Sequence, residues 1–178
     1  MDIDLFSYNF LIPFLSCFFL LIGSGLISGS EIAFFGLSPS DKNKLQESSL
    51  QKHNIILRLI ESPKMLLATI LISNNVINIA IIIISSLIFT DYMTFNSVIL
   101  NFILQIALTT FLILLFGEVI PKTYANKNPL LVSEIMALPL LFLQKTLYPI
   151  SRILVKATNL IDNNIERQSS LSLTSLSN

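Results

Sequence analysis

Three stretches without a charged residue limit what this chain can fold into. Twenty-six uncharged residues separate Asp4 from Glu31, another 26 separate Lys64 from Asp91, and 26 more separate Asp91 from Glu118. An α-helix rises ~1.5 Å per residue, so crossing the hydrocarbon core of a bilayer takes ~20 residues. Each stretch is long enough to cross once. Lipid offers no partner to open backbone groups, which leaves helices as the spanning form at this length. The sequence therefore predicts an all-α membrane protein. Its three transmembrane helices fall near 6–28, 66–89 and 97–119, with juxtamembrane amphipathic helices near 40–62 and 129–161. Composition agrees: 12% of the 178 residues are charged, against about a quarter in soluble domains. The 11 Lys and Arg balance the 11 Asp and Glu, so there is no basic footprint and no nucleic-acid partner is expected.

The first stretch does not read as a cleaved secretory signal. Asp2 and Asp4 stand where such a signal has basic residues, and the apolar run is too long. All 11 basic residues lie either between the first two stretches or after the third, and none lies in the N-terminus or the Thr90–Asn96 turn. The positive-inside rule then sets the N-terminus outside and the C-terminus in the cytoplasm.

The region 129–161 is different, because Glu134, Lys145, Arg152 and Lys156 interrupt it. Its longest charge-free piece has 10 residues, Ile135 to Gln144. As a helix it would align Leu143, Leu147, Ile150, Leu154, Ala157 and Ile161 on one face, opposite Lys145, Arg152, Lys156 and Asn159. That is the pattern of a helix lying on the membrane surface, broken by Pro139 and Pro149. A fourth, tilted span is the competing reading. In the segment 38–64, Ser40 is the expected helix cap and Pro63 the stop. Residues 1–165 form one transmembrane domain in this reading. Residues 166–178 are a polar tail or the start of a missing cytoplasmic domain.

Polar groups inside a membrane are costly and are functional candidates by default. Near the end of the first span, Gly23 to Glu31 set Ser24 and Ser28 four apart, with Gly25 and Gly29 beside them. Small residues at this spacing also serve close helix packing. Asn74, Asn75 and Asn78 interrupt a Leu/Ile helix. Asn74 and Asn78 lie only ~40° apart around it, so their amide oxygens can meet one object. Asn75 points elsewhere, towards a bond with another helix. Gly117-Glu118-Val119-Ile120-Pro121-Lys122 closes the third span. Pro121 cannot donate to the carbonyl four residues back, which leaves the Gly117 oxygen beside the Glu118 carboxylate. Glu118 simply paired with Lys122 is the plainer alternative. Gln105, Thr109 and Thr110 read as packing.

These groups are hard oxygen donors, with no thiolate or imidazole among them. Such a set suits Mg²⁺, Ca²⁺, Mn²⁺ or Na⁺ rather than Zn²⁺ or Cu⁺. Cys17 and His53, one of each type, allow neither an internal disulfide nor a Cys- or His-rich metal cluster. No catalytic signature is present, so an enzyme is not expected.

Ser28 to Ser38 (SGSEIAFFGLS), Asn74 to Ile79 (NNVINI) and Gly117 to Lys122 (GEVIPK) together resemble the transmembrane domain of the CNNM/CorC magnesium transporters, the DUF21 unit, over residues 6–165. The resemblance implies a homodimer in the lipid bilayer, in bacteria the inner membrane, with three spans per subunit. It implies Mg²⁺ export, Na⁺-coupled. It also implies a dehydrated Mg²⁺ held by Ser28, the Gly29 backbone oxygen, Asn74, Asn78 and Glu118, with Ser24, Glu31, Asn75 and Gly117 as further candidates. Family members commonly carry a cytoplasmic CBS-type domain, and the chain stops before one. A membrane anchor or assembly domain and a non-transporting Mg²⁺ sensor are the competing functions.

Overall fold

The structure, a computed structural model, describes residues 2–92 and 97–158, with side chains described from Phe10 onward except at 91–92. Among the described residues the only regular structure is helical. Helix α1 is Asp2–Phe35, α2 Pro39–Glu47, α3 Gln51–Ile60, α4 Pro63–Tyr92 and α5 Val98–Leu112. A π-helical segment, Ile113–Val119, joins α5 to α6 (Ile120–Lys127), and α7 is Pro129–Thr146. A last helix, α8, covers 148–158.

Four helical stretches are long and apolar enough to cross a membrane: Phe10–Phe35, Pro63–Thr90, Val98–Lys127 and Pro129–Thr146. The first three are the predicted spans, extended at their ends. The fourth is α7. Its 18 residues run straight through Pro139, where the sequence predicts a break. A proline ring removes one ladder hydrogen bond, and the rest of α7 is held by packing. Val132, Met136, Ala137 and Leu140 enter the same buried cluster as Ile27, Phe34, Leu45, Ile56 and Leu66. The carboxylate of Glu134 in α7 accepts from Lys52 Nζ and lies 3.0 Å from His53 Nε2, which clasps α3 to α7.

The chain does break at Leu147, ahead of Pro149. The predicted apolar stripe is therefore not one face of one helix: Ile150 and Leu154 are exposed, while the polar Ser151 is fully buried. Ser151 Oγ reaches Thr69 Oγ1 of α4 at 3.3 Å. Asn159, Ile161, most of the Thr90–Asn96 turn and the tail 166–178 lie outside the described residues.

The segment 40–62 forms two helices rather than one, separated at Ser48–Leu50. The cap is Ser38, not Ser40. Pro39, with its φ already set, takes the first helical position. The Ser38 hydroxyl accepts from the Asp41 N–H at 3.1 Å, and Asp41 Oδ2 accepts from the Ser38 N–H at 3.2 Å. The two residues close a capping box. Hydrogen bonding to Ser38 holds the Asp41 carboxyl below its ordinary range.

Candidate metal centre

The site forms where α1, α4 and the π segment meet. Ser24 of α1 is fully buried. Its hydroxyl stands 3.0 Å from Asn74 Oδ1 and 2.7 Å from Asn78 Oδ1, both on α4. The i, i+4 spacing on α4 thus brings two amide oxygens to one hydroxyl. That hydroxyl has one hydrogen to donate and faces two acceptors. The third element arrives through Gly117: a Cβ there would stand 3.0 Å from Ser24 Oγ. A side chain at 117 would press on the hydroxyl, so glycine lets the third span close against it.

Ser24, counted only among the further candidates, is the serine at the asparagine pair. Ser28 lies one turn along α1, where its hydroxyl is buried and has no hydrogen-bond partner. Ser73, next to Asn74, is in the same condition. Such orphaned hydroxyls are rare, because burying a polar group unpaired costs free energy.

Gly29 does not end a span. Helix α1 runs unbroken to Phe35, so the Gly29 carbonyl belongs to a helical ladder instead of being freed. Its missing side chain serves packing, since a Cβ would stand 3.2 Å from the Pro121 carbonyl oxygen. Gly25 is tighter still: its Cβ would meet Pro121 Cγ at 2.8 Å and the Phe116 carbonyl oxygen at 2.9 Å.

The helix ahead of Pro121 also differs from the sequence reading. In the π segment each N–H reaches five residues back, as Ile120 does to Leu115. Pro121 opens α6 just past that segment and has no N–H to give to the carbonyls before it, those of Phe116 and Gly117. The Phe116 oxygen is the one turned towards Gly25. The π segment is the feature that sequence spacing misses, because apolar periodicity does not register one extra residue in a turn.

Glu118 follows Gly117 directly and is partly exposed. It is not paired with Lys122, which bonds Glu31 at 3.2 Å. Glu31 is thereby committed to tying α1 to α6. Asn75 is exposed, on another side of α4 from Asn74 and Asn78. Thr109 donates to Ser85 of α4 at 3.0 Å in a buried contact, in keeping with a packing role. Among the described residues no three His, Cys, Asp or Glu side chains gather as a metal cluster. Any ion here would be held chiefly by neutral oxygens.

A protein-family model described as the Cyclin M transmembrane N-terminal domain matches residues 15–175. The chain belongs to the CNNM family. This family is associated with Mg²⁺ transport and is not an enzyme family. With its apolar helices, membership makes the chain a multi-pass membrane protein. No match is found among curated proteins.

Proposed function

We propose that this CNNM domain transports Mg²⁺ across the membrane, binding it between Ser24, Asn74 and Asn78 with Glu118 as the charged partner. The observation that carries the reading is the hydroxyl with one hydrogen facing two amide oxygens. A cation removes that deficit by taking electron density from all three oxygens at once.

The spacing is compatible with a directly ligated Mg²⁺. Mg²⁺ holds octahedral ligands at ~2.1 Å, so neighbouring ligand oxygens stand ~3.0 Å apart. The Ser24–Asn74 and Ser24–Asn78 separations are 3.0 and 2.7 Å. The ion can enter with little movement of the three side chains.

One carboxylate leaves a divalent ion with net positive charge, which suits release. An asparagine can also turn over and offer its NH₂ to Ser24, so the emptied site can satisfy itself. Ser28 supplies the next oxygen along α1 for an ion moving towards the Glu31–Lys122 end. Export driven by Na⁺ entry, a bacterial inner-membrane location and a cytoplasmic C-terminus complete the proposal.

The test is Mg²⁺ flux from proteoliposomes holding the full chain, with bound Mg²⁺ measured in parallel. Wild type should release Mg²⁺ when Na⁺ is supplied outside, and Asn78→Ala should lose both flux and binding. Binding without flux would make the protein a sensor. Neither binding nor flux in the wild type would end the proposal.

A further inference from the structure

Helix α8 keeps a remnant of the predicted apolar stripe, and its seat fixes which way that remnant faces. Ser151 turns inward onto Thr69 of α4. At ~100° per residue, Ile150, Ile153 and Leu154 share one sector on one side of that seat. They are 52%, 69% and 37% exposed. Arg152 and Lys156, ~40° apart, lie on the other side of the seat, and both are exposed, as is Lys145 at the end of α7. From Ile135 to Ile161 the chain carries these three bases and no acid. None of the three has an ion pair among the described residues. Thr69 stands five residues, ~8 Å, past Lys64, the last charge before the uncharged stretch of α4. A helix lying in a membrane surface buries its apolar face ~5–10 Å into the boundary between headgroups and acyl chains. The seat on Thr69 therefore holds α8 at that boundary, at the basic end of the spans.

We propose that α8, together with Lys145, is a binding site for anionic phospholipid in the leaflet at the basic end of the spans. Ile150, Ile153 and Leu154 lie among the acyl chains, and Arg152 and Lys156 hold the headgroup phosphate. The planar fork of an arginine matches a phosphate bidentately, and a lysine adds a point charge. Both side chains are long enough to reach headgroups while their stems cover apolar surface. Charge then chooses among lipids. A zwitterionic headgroup answers its phosphate with its own cation. An anionic one leaves its charge to three bases that have no carboxylate of their own. Tyr148, 47% exposed in the first turn of α8, is a residue type at home at headgroup level. An acidic soluble protein would satisfy the bases without the hydrocarbon that Ile150 and Ile153 need. A lipid brings chain and phosphate side by side, at the depth of the seat. The inference does not depend on which ion, if any, the metal centre binds.

The sequence has no tryptophan, so Tyr148→Trp gives the full chain a single fluorescent reporter on α8. The variant is placed in phosphatidylcholine vesicles that hold a minority of phosphatidylglycerol. Bromine, a quencher, is carried on the acyl chains of the phosphatidylglycerol or of an equal amount of the phosphatidylcholine. Brominated phosphatidylglycerol should quench the more strongly, and the excess should shrink as salt is raised. Adding Arg152→Gln and Lys156→Gln should lower the relative affinity for phosphatidylglycerol about tenfold. Quenching by brominated phosphatidylcholine should then be unchanged, which shows that α8 keeps its seat. Lys42→Gln with Lys44→Gln, on α2, should leave the excess as it was. Equal quenching by the two lipids overturns the proposal, as does an excess that survives the loss of Arg152 and Lys156. Quenching by neither lipid would set α8 against water or another protein, and overturns it too. The comparison of the two lipids stands even if the glutamine variants fail to fold.

Discussion

Two buried polar junctions tie the spans together, and they are built on opposite principles. At one, Thr109 of α5 donates to Ser85 of α4, and Ser85 donates to the Ile82 carbonyl at 2.9 Å. Each hydroxyl hydrogen has a single acceptor, and the chain of bonds ends on backbone. At the other, the one hydrogen of Ser24 faces the oxygens of both Asn74 and Asn78. The first junction is complete as it stands and has nothing to offer an ion. The second is short of a donor while both amide oxygens face Ser24, and either an asparagine turned over to offer its NH₂ or a bound cation supplies what is missing. In the proposed function, the count of hydrogens rather than the count of polar residues is what separates helix glue from the ion site.

The sharpest way to break this comparison is to delete one member of each junction. Asn78→Leu should lower Mg²⁺ affinity by more than a hundredfold, read by titration calorimetry in detergent, with helical content intact. Thr109→Val should leave Mg²⁺ affinity within twofold of wild type. It should cost about 0.6 kcal/mol of stability, the usual worth of an interhelical hydrogen bond in a membrane. Equal effects on binding would mean that the two junctions do not differ in kind.

A second test moves to the glycines that let the donor-poor junction close. Gly25→Ala would push into Pro121 Cγ at 2.8 Å and the Phe116 oxygen at 2.9 Å. Overpacking of this sort costs ~1–3 kcal/mol. Gly23→Ala meets nothing nearer than Ile77 Cδ1 at 3.8 Å, an ordinary contact, and should be neutral or slightly stabilising through its helix propensity. A thermal-melt series showing Gly23→Ala to be the worse of the two would mean that α1 does not cross the third span at Gly25.

What could be read beforehand follows the same division. The three spans were legible because charges are excluded from hydrocarbon, and the gaps between charges mark them directly. The convergence of Asn74 and Asn78 was legible because helical spacing fixes it within one element. Which serine meets them was not, since both Ser24 and Ser28 lie on the right side of α1 and only the register between helices chooses. That register is set by Gly25 against Pro121 and Gly117 against Ser24, contacts between residues about 90 positions apart. The π segment hides for a related reason: the Ile120 bond to Leu115 reaches five residues back without changing the pattern of apolar side chains. The cap at Ser38 was open to reading, because Pro39 fits a first helical position better than it fits a cap.

At the start of α2 the balance of donors and acceptors is complete again, and the pH effect expected there is the smallest. Ser38 and Asp41 exchange hydrogen bonds at the start of α2, and those bonds hold the Asp41 carboxyl low. A carboxyl with a depressed folded pKa stabilises the fold above its unfolded value and loses that contribution as pH falls through the folded one. The window therefore lies below about pH 4, and exposure of the group to water keeps the effect small. Observed by carbon-detected NMR, Asp41 should titrate below the ordinary aspartate range, and Ser38→Ala should return it upward while costing about 1 kcal/mol through the lost cap. A normal Asp41 midpoint in the wild-type protein would mean that the capping box does not persist in solution, and α2 would then rest on the burial of Leu45 alone.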